Sequence, residues 1–222
     1  MDRKVYAIFV AGGSGTRMGG DTPKQFLPLA GRPVLVRTIS RFAEAVPEAH
    51  IITVLPSHLS ERWKEMCIEY QLTVPQTIVP GGLTRFHSVR NALVKVPDGA
   101  VVSVHDGVRP LVSVRLIRAM LERMKTVEAL IPVVPVVDTL RCVDPSNPAP
   151  DRSSLLAVQT PQMFLSEVLK DAYRQAYDLS FTDDASVVER NGTSVSIIEG
   201  ERLNIKITTP EDMTLAEAVL SL

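Results

Sequence analysis

Two cysteines in 222 residues, Cys67 and Cys142, stand far apart and within no metal-ligand spacing. That scarcity excludes a disulfide framework and a cysteine-based metal centre. It leaves two single buried or half-buried thiols, as expected of a reducing cytoplasm. Charge of one sign is also lacking. Lys and Arg number 24 against 25 acidic residues, a formal net charge of −1, so no broad electrostatic footprint for nucleic acid or an anionic membrane exists. No long hydrophobic run is present either. The apolar stretch 5–11 after the charged start Met1-Asp2-Arg3-Lys4 is too short for a signal-peptide core with its cleavage site, and far short of a membrane span. Internal repeats and low-complexity tracts are missing, and His50, His58 and His87 have no metal-ligand spacing. The composition, 45% hydrophobic and 22% charged, is that of a soluble globular chain long enough to bury a substantial core.

Apolar runs of strand length alternate with helical periodicity. Residues 5–10, 51–55, 100–104 and 129–134 are rich in Val and Ile and bounded by Pro, Gly or charge, the pattern of strands buried on both faces. Between them, 33–45, 58–70, 84–96 and 113–127 have helical spacing, with Pro33 suited to a first turn and Ser113 to an N-cap. Strand and helix in alternation predict an α/β fold, a doubly wound and mostly parallel sheet in a single domain spanning 1–222. The rhythm breaks at 135–158, where Asp144-Pro145-Ser146-Asn147-Pro148-Ala149-Pro150 is rich in turn formers. This stretch is either an ordinary surface loop or a protruding β-arm that grips a partner subunit. Helices are expected again at 166–177 and 183–190, and strands at 194–198 and 203–207. A last helix opens at Pro210-Glu211-Asp212. Trp63 and Phe42 lie on apolar helical faces and are assigned to the core.

Ligands of an open parallel sheet gather where strand C-termini meet helix N-termini. There the first strand runs into Ala11-Gly12-Gly13-Ser14-Gly15-Thr16-Arg17-Met18-Gly19-Gly20, with Lys24 following in Pro23-Lys24-Gln25-Phe26. Five glycines in ten residues let backbone N–H groups wrap an anion without obstruction by Cβ atoms. The segment therefore offers amides for a polyphosphate and two cations, Arg17 and Lys24. It is not a P-loop, because no Lys-Ser or Lys-Thr follows the glycines, and not a dinucleotide fingerprint, because Met18 stands where the third glycine belongs. The second strand ends Val54-Leu55-Pro56, without the acid that would hold a ribose diol.

The string from Ala11 to Met18, followed by Pro23-Lys24-Gln25, resembles the signature of sugar-phosphate nucleotidyltransferases. End to end, the chain resembles the 2-C-methyl-D-erythritol 4-phosphate cytidylyltransferase family. The supporting strings, in order, are Gly81-Gly82-Leu83-Thr84-Arg85-Phe86-His87-Ser88-Val89, His105-Asp106-Gly107-Val108-Arg109-Pro110, Asp138-Thr139, Gln159-Thr160-Pro161-Gln162, Thr182-Asp183-Asp184-Ala185-Ser186 and Asn204-Ile205-Lys206-Ile207-Thr208.

This resemblance implies attack by a polyol phosphate on the α-phosphorus of CTP, with Mg²⁺ as cofactor and pyrophosphate as leaving group. Two anions must meet, so cations and in-line positioning are required and a general base is not. Arg17 and Lys24 match the family's catalytic cations. Nucleotide binding falls to Ala11, Gly12, Gly13, Gly15, Gly82, Ser88 and Asp106. Arg109, Thr139, Arg152, Thr160 and Lys206 match positions that hold the acceptor phosphate, with the 135–158 arm crossing a homodimer. Leu83 and Thr84 stand where polar or acidic residues are common, and Gly107 where a small alanine is often found, so no role is carried over to them. His105 is taken as structural rather than as a base. Two other readings compete: a cytidylyltransferase for ribitol 5-phosphate, and a nucleotide-binding regulatory module without chemistry. Retention of Arg17, Lys24, Arg152 and Lys206 argues against the second.

Overall fold

The computed structural model describes residues 3–13, 22–143 and 146–221. In chain order the elements are β1 (Val5–Val10), β2 (Pro28–Leu29), β3 (Arg32–Pro33), α1 (Val34–Ala45), β4 (His50–Leu55), α2 (Ser60–Glu69), β5 (Gln76–Pro80), α3 (Arg85–Leu93), β6 (Val101–Asp106), α4 (Val114–Arg123), β7 (Ala129–Pro135), β8 (Leu156–Val158), β9 (Gln162–Leu165), α5 (Ser166–Ala172), α6 (Asp184–Arg190), β10 (Ser196–Glu199) and α7 (Pro210–Leu220). One sheet runs β10-β7-β9-β6-β1-β4-β5, with β8 added to β7. The β6-β1-β4-β5 block is parallel, as is β7-β10, and β9 lies antiparallel between β6 and β7.

Strand periodicity explains the layers. Side chains alternate across a strand, so in β1 Ala7 and Phe9 join one core while Ile8 joins the other. The first core packs α1, α2 and α4 against the sheet through Phe42, Trp63 and Met120. The second packs α3, α5 and α6 through Phe86, Leu169 and Val188. A smaller cluster seats α7 through Ala216 against Leu29, Val34 and Ile207. Helices thus cover both faces, as the alternating pattern predicts.

Sequence signals also fix several ends. Ser113 caps α4 by accepting the Leu116 N–H at 2.9 Å. Asp183 and Thr209 each form a reciprocal capping box, and Pro210 occupies the first turn of α7. Pro33 differs from expectation: it lies in β3 with ψ 142° and precedes α1. The helix expected over 166–177 stops at Ala172. Residues 203–207 form no strand. Their backbone makes isolated bonds, such as Ile207 N–H to the Val108 carbonyl at 2.9 Å, in place of a ladder.

The 135–158 segment leaves the sheet on an antiparallel ladder pairing Val133 with Val158, Val134 with Ala157 and Pro135 with Leu156. Leu156 and Val158 in that base and Val137, Leu140 and Val143 beyond it are all exposed apolar side chains. Among the described residues, no helix is long and apolar enough to cross a membrane.

Phe42 is fully buried and meets Phe9 edge-on, with centroids 5.7 Å apart. Phe42→Ala should cost about 3–5 kcal/mol, read as a lower urea midpoint with an unchanged slope. A loss below about 1 kcal/mol would contradict this packing.

Candidate active site

Because β1, β4, β5 and β6 run parallel, their C-terminal ends open on one side of the sheet, where such folds bind ligands. A cleft of about 420 Å³ lies there. It is walled by Ala11, Gly12 and Gly13 after β1, Pro56 after β4, Gly81 and Gly82 after β5, and Asp106 at the end of β6. A larger depression of about 790 Å³ sits near the opposite strand ends, between Arg3, Val101, Arg118 and Lys125, and none of the expected site residues line it.

Each wall has a local cause. Lys24 heads a single 3-10 turn, Lys24–Phe26, and the next residue, Gln25, is buried with its Nε2 donating to the Ala11 carbonyl at 2.8 Å. That bond fixes the lysine turn to the end of β1. On the far wall, Ser88 Oγ accepts the Gly82 N–H at 3.0 Å and donates to the Thr84 carbonyl. A Cβ on Gly82 would lie 2.4 Å from His87 Cβ, so only glycine lets the loop approach α3 so closely. Thr84, to which the sequence assigned no role, is the N-cap of α3.

Charge is concentrated around Asp106. Its Oδ2 receives Lys206 Nζ at 3.0 Å and Arg109 Nε at 3.4 Å, and its Oδ1 faces Arg85 Nε at 3.9 Å. Burial alone would raise this carboxyl's pKa, but Arg85, Lys206 and Arg109 outweigh it and hold Asp106 well below the usual carboxylate range. Arg85 in turn donates Nη2 to Asp184 Oδ2 at 2.6 Å, and Tyr173 donates its hydroxyl to Asp184 Oδ1 at 2.6 Å. Arg109 also donates to the Asn204 carbonyl at 2.7 Å.

Behind this cluster lies a buried polar frame. Thr160 Oγ1 accepts the Asp106 N–H at 3.0 Å and lies 2.8 Å from His105 Nδ1. Asn204 Nδ2 donates to the Thr160 carbonyl, and Gln159 bridges to Glu201. His105 has no exposed surface. Burial pulls its pKa down to about 3, against the opposing pull of Asp106, and the Arg109 charge adds to the burial effect. The imidazole is therefore neutral at pH 7.

Of the expected nucleotide-binding residues, Ala11, Gly12, Gly13, Gly82, Ser88 and Asp106 share the cleft with Lys24 and Lys206. Arg109 and Thr160 are buried behind it. Thr139 and Arg152 are exposed on the 135–158 segment and do not line the cleft; there Arg152 Nη1 donates to the Val137 carbonyl at 2.8 Å. Gly15 and Arg17 lie outside the described residues. The charged residues that sequence reasoning missed are Arg85 and Asp184. Both stand inside strings that carry the resemblance, so the only signal was their place in those strings.

His105 makes stability depend on pH. Its folded pKa is depressed, so its contribution is complete above the unfolded value near 6.5 and is lost as pH falls toward about 3. Between pH 6.5 and 5 this amounts to about 2 kcal/mol. His105→Asn should flatten that part of the stability–pH curve in urea denaturation. An unchanged slope would remove His105 as its cause.

The comparisons with known proteins agree with the geometry. The family model for 2-C-methyl-D-erythritol 4-phosphate cytidylyltransferase matches residues 5–222. A protein of that name from Porphyromonas gingivalis is 50% identical over 223 residues, covering 100% of both chains. Another, from Phocaeicola vulgatus, is 48% identical over 216 residues, covering 97% of this chain and 99% of its own. Among solved structures, the 4-diphosphocytidyl-2C-methyl-D-erythritol synthase of Anaerococcus prevotii superposes with a TM-score of 0.84 at 28% identity, covering 100% of this chain and 97% of that one. The 2-C-methyl-D-erythritol 4-phosphate cytidylyltransferase of Thermus thermophilus does so with 0.80 at 31% identity, covering 100% of both. This chain belongs to the 2-C-methyl-D-erythritol 4-phosphate cytidylyltransferase family and is a nucleotidyltransferase.

Proposed function

We propose that this chain joins CTP to 2-C-methyl-D-erythritol 4-phosphate, forming 4-diphosphocytidyl-2-C-methyl-D-erythritol and pyrophosphate. The observation that carries this reading is one cleft in which the glycine backbone at 12–13, Lys24, Lys206 and the Asp106 cluster meet. The acceptor phosphate attacks the α-phosphorus of CTP, and the phosphate is itself the nucleophile, so no side chain needs to remove a proton. The barrier is charge repulsion, which fixed cations in a partly dry site lower most. Lys24 and Lys206 supply such charge from the described walls, and Arg17 is the further catalytic cation. The amides of residues 12–13 face the triphosphate, and Gly82 with Ser88 reads the cytosine and ribose.

The donor set fits Mg²⁺. Asp106 offers a carboxylate on the cleft wall, no cluster of three or more His, Cys, Asp or Glu ligands occurs among the described residues, and Mg²⁺ needs only one or two carboxylates beside substrate phosphates and water. When bound there, Mg²⁺ would neutralise charge on the triphosphate as pyrophosphate leaves.

Arg109, Thr139, Arg152 and Thr160 join Lys206 as the acceptor-phosphate set, with Thr139 and Arg152 delivered by the 135–158 arm to the partner's site in a homodimer. Support comes from the absence of Thr139 and Arg152 from this chain's own cleft lining and from the exposed apolar side chains of the arm. The cytoplasm is the compartment this reading takes, consistent with two free cysteines.

Pyrophosphate release from CTP and Mg²⁺ should be fast with methylerythritol 4-phosphate and slow with ribitol 5-phosphate. Lys24→Ala or Arg17→Ala should each lower kcat by about 10²–10³, with the thermal melt unchanged. Near-wild-type turnover in either variant would overturn the mechanism, and preference for ribitol phosphate would overturn the substrate.

Composite sites can be tested by mixing. Lys24→Ala and Arg152→Ala are each expected to be nearly inactive. Refolded together, they should recover about a quarter of wild-type activity, because half the dimers then carry one intact site. No recovery would place Arg152 outside the partner's site.

A further inference from the structure

Asp106 and Asp184 compete for one guanidinium, and the outcome is unequal. Arg85 donates to Asp184 at 2.6 Å, while its Nε stands 3.9 Å from Asp106 Oδ1, within ion-pair range but beyond a hydrogen bond. The two oxygens of Asp106 therefore differ. Oδ2 takes Lys206 at 3.0 Å and Arg109 at 3.4 Å, whereas Oδ1 has only the distant arginine in this cluster.

The anchor on the far side is rigid. Asp184 has no exposed surface, opens α6 where a carboxylate suits the helix dipole, and has its second oxygen filled by the Tyr173 hydroxyl at 2.6 Å. Tyr173 is itself stacked on Phe86, with centroids 4.6 Å apart. Phe86 follows Arg85 directly in α3, so the same packing that seats Tyr173 also seats the helix that carries the arginine.

The geometry points to a positioning relay: Asp184, fixed by Tyr173, draws Arg85 off Asp106 and keeps Asp106 Oδ1 open toward the cleft for the nucleotide. Arg85 then contributes its charge to hold Asp106 ionised without capping the oxygen that the ligand needs. This rests on the reading that the cleft takes CTP, and it adds a role for three residues outside that assignment, Arg85, Tyr173 and Asp184.

Asp184→Asn tests it with little change of shape. The amide keeps a carbonyl oxygen for Tyr173 and loses the charge that holds Arg85. The freed guanidinium should close on Asp106. Kd for CTP, measured by calorimetry on protein shown to be folded by its melt, should rise about tenfold. Arg85→Gln combined with Asp184→Asn should bind CTP more tightly than Asp184→Asn alone, because nothing is left to close on Asp106. A double variant as weak as the single one, or an unchanged Kd in Asp184→Asn, would overturn the relay. A purely structural Asp184 would give additive losses. The ligand-free readout is the Arg85 Nε–Hε NMR resonance, which should move downfield in Asp184→Asn as that proton gains a carboxylate acceptor. An unmoved resonance would overturn the relay independently of CTP. Failure of the wild type to bind CTP would instead overturn the functional reading, and the resonance would then decide the relay.

Discussion

The site depends on keeping one carboxylate ionised at the end of a buried strand. Every residue of β6 is buried, and Asp106 ends it with only 7% of its surface exposed. A carboxylate desolvated to that degree would normally take up a proton or disrupt its surroundings. Here Lys206, Arg109 and Arg85 surround it, and its backbone N–H is held by Thr160. These cations come from three separate stretches of chain, so the ion cluster also determines where those stretches lie. The 203–207 segment, which has no ladder of its own, is tied to the sheet end by Lys206, by Asn204 bonding to Thr160, and by Ile207 in the α7 core.

That arrangement suits phosphate-on-phosphate chemistry in a family of cytidylyltransferases. Within the cluster, three cations face two carboxylates, Asp106 and Asp184, leaving an excess of one positive charge beside Lys24 and the glycine backbone. An anion is attracted there although the whole chain carries a formal charge of −1. Local field rather than net charge steers a small ligand into a cleft with low-dielectric walls. The neutral His105 fits the same logic. An imidazolium beside Arg109 would add a repulsive charge without lining the cleft, and burial prevents it.

Much of the fold was legible in the sequence because strands buried on both faces read as unbroken Val and Ile runs. β1, β4, β6 and β7 were found in this way. β5 escaped because it is an edge strand with one buried residue, Val79, and with Thr77 and Pro80 exposed, so it shows no continuous apolar run. β9 escaped because it has four residues and opens with Gln162, whose side chain bonds Asp183 and the Ala185 N–H. The 203–207 stretch misled for the opposite reason: Leu203, Ile205 and Ile207 alternate like a strand, but Leu203 is exposed and the buried anchors are Asn204 and Ile207, three apart. In the site, the glycine loop and Lys24 could be argued from spacing, whereas Lys206 came only through resemblance. Arg85 and Asp184 are 99 positions apart, and local pattern does not report a pairing at that separation.

Gly107 shows how a small residue can link the two halves of the site. Its N–H bonds the Val10 carbonyl at 3.0 Å, so the ends of β6 and β1 abut there, and Asp106 is brought beside the loop that starts at Ala11. A Cβ at this position would lie 2.8 Å from Leu35 Cδ1 and 3.0 Å from Ala11 Cβ. Leu35 is fully buried in α1 and fills the space an alanine methyl would need. Glycine at 107 and leucine at 35 are therefore a matched pair: a methyl added at one requires volume to be surrendered at the other. The lack of a Cβ at 107 therefore suits the core packing beneath the site, where Leu35 takes the space.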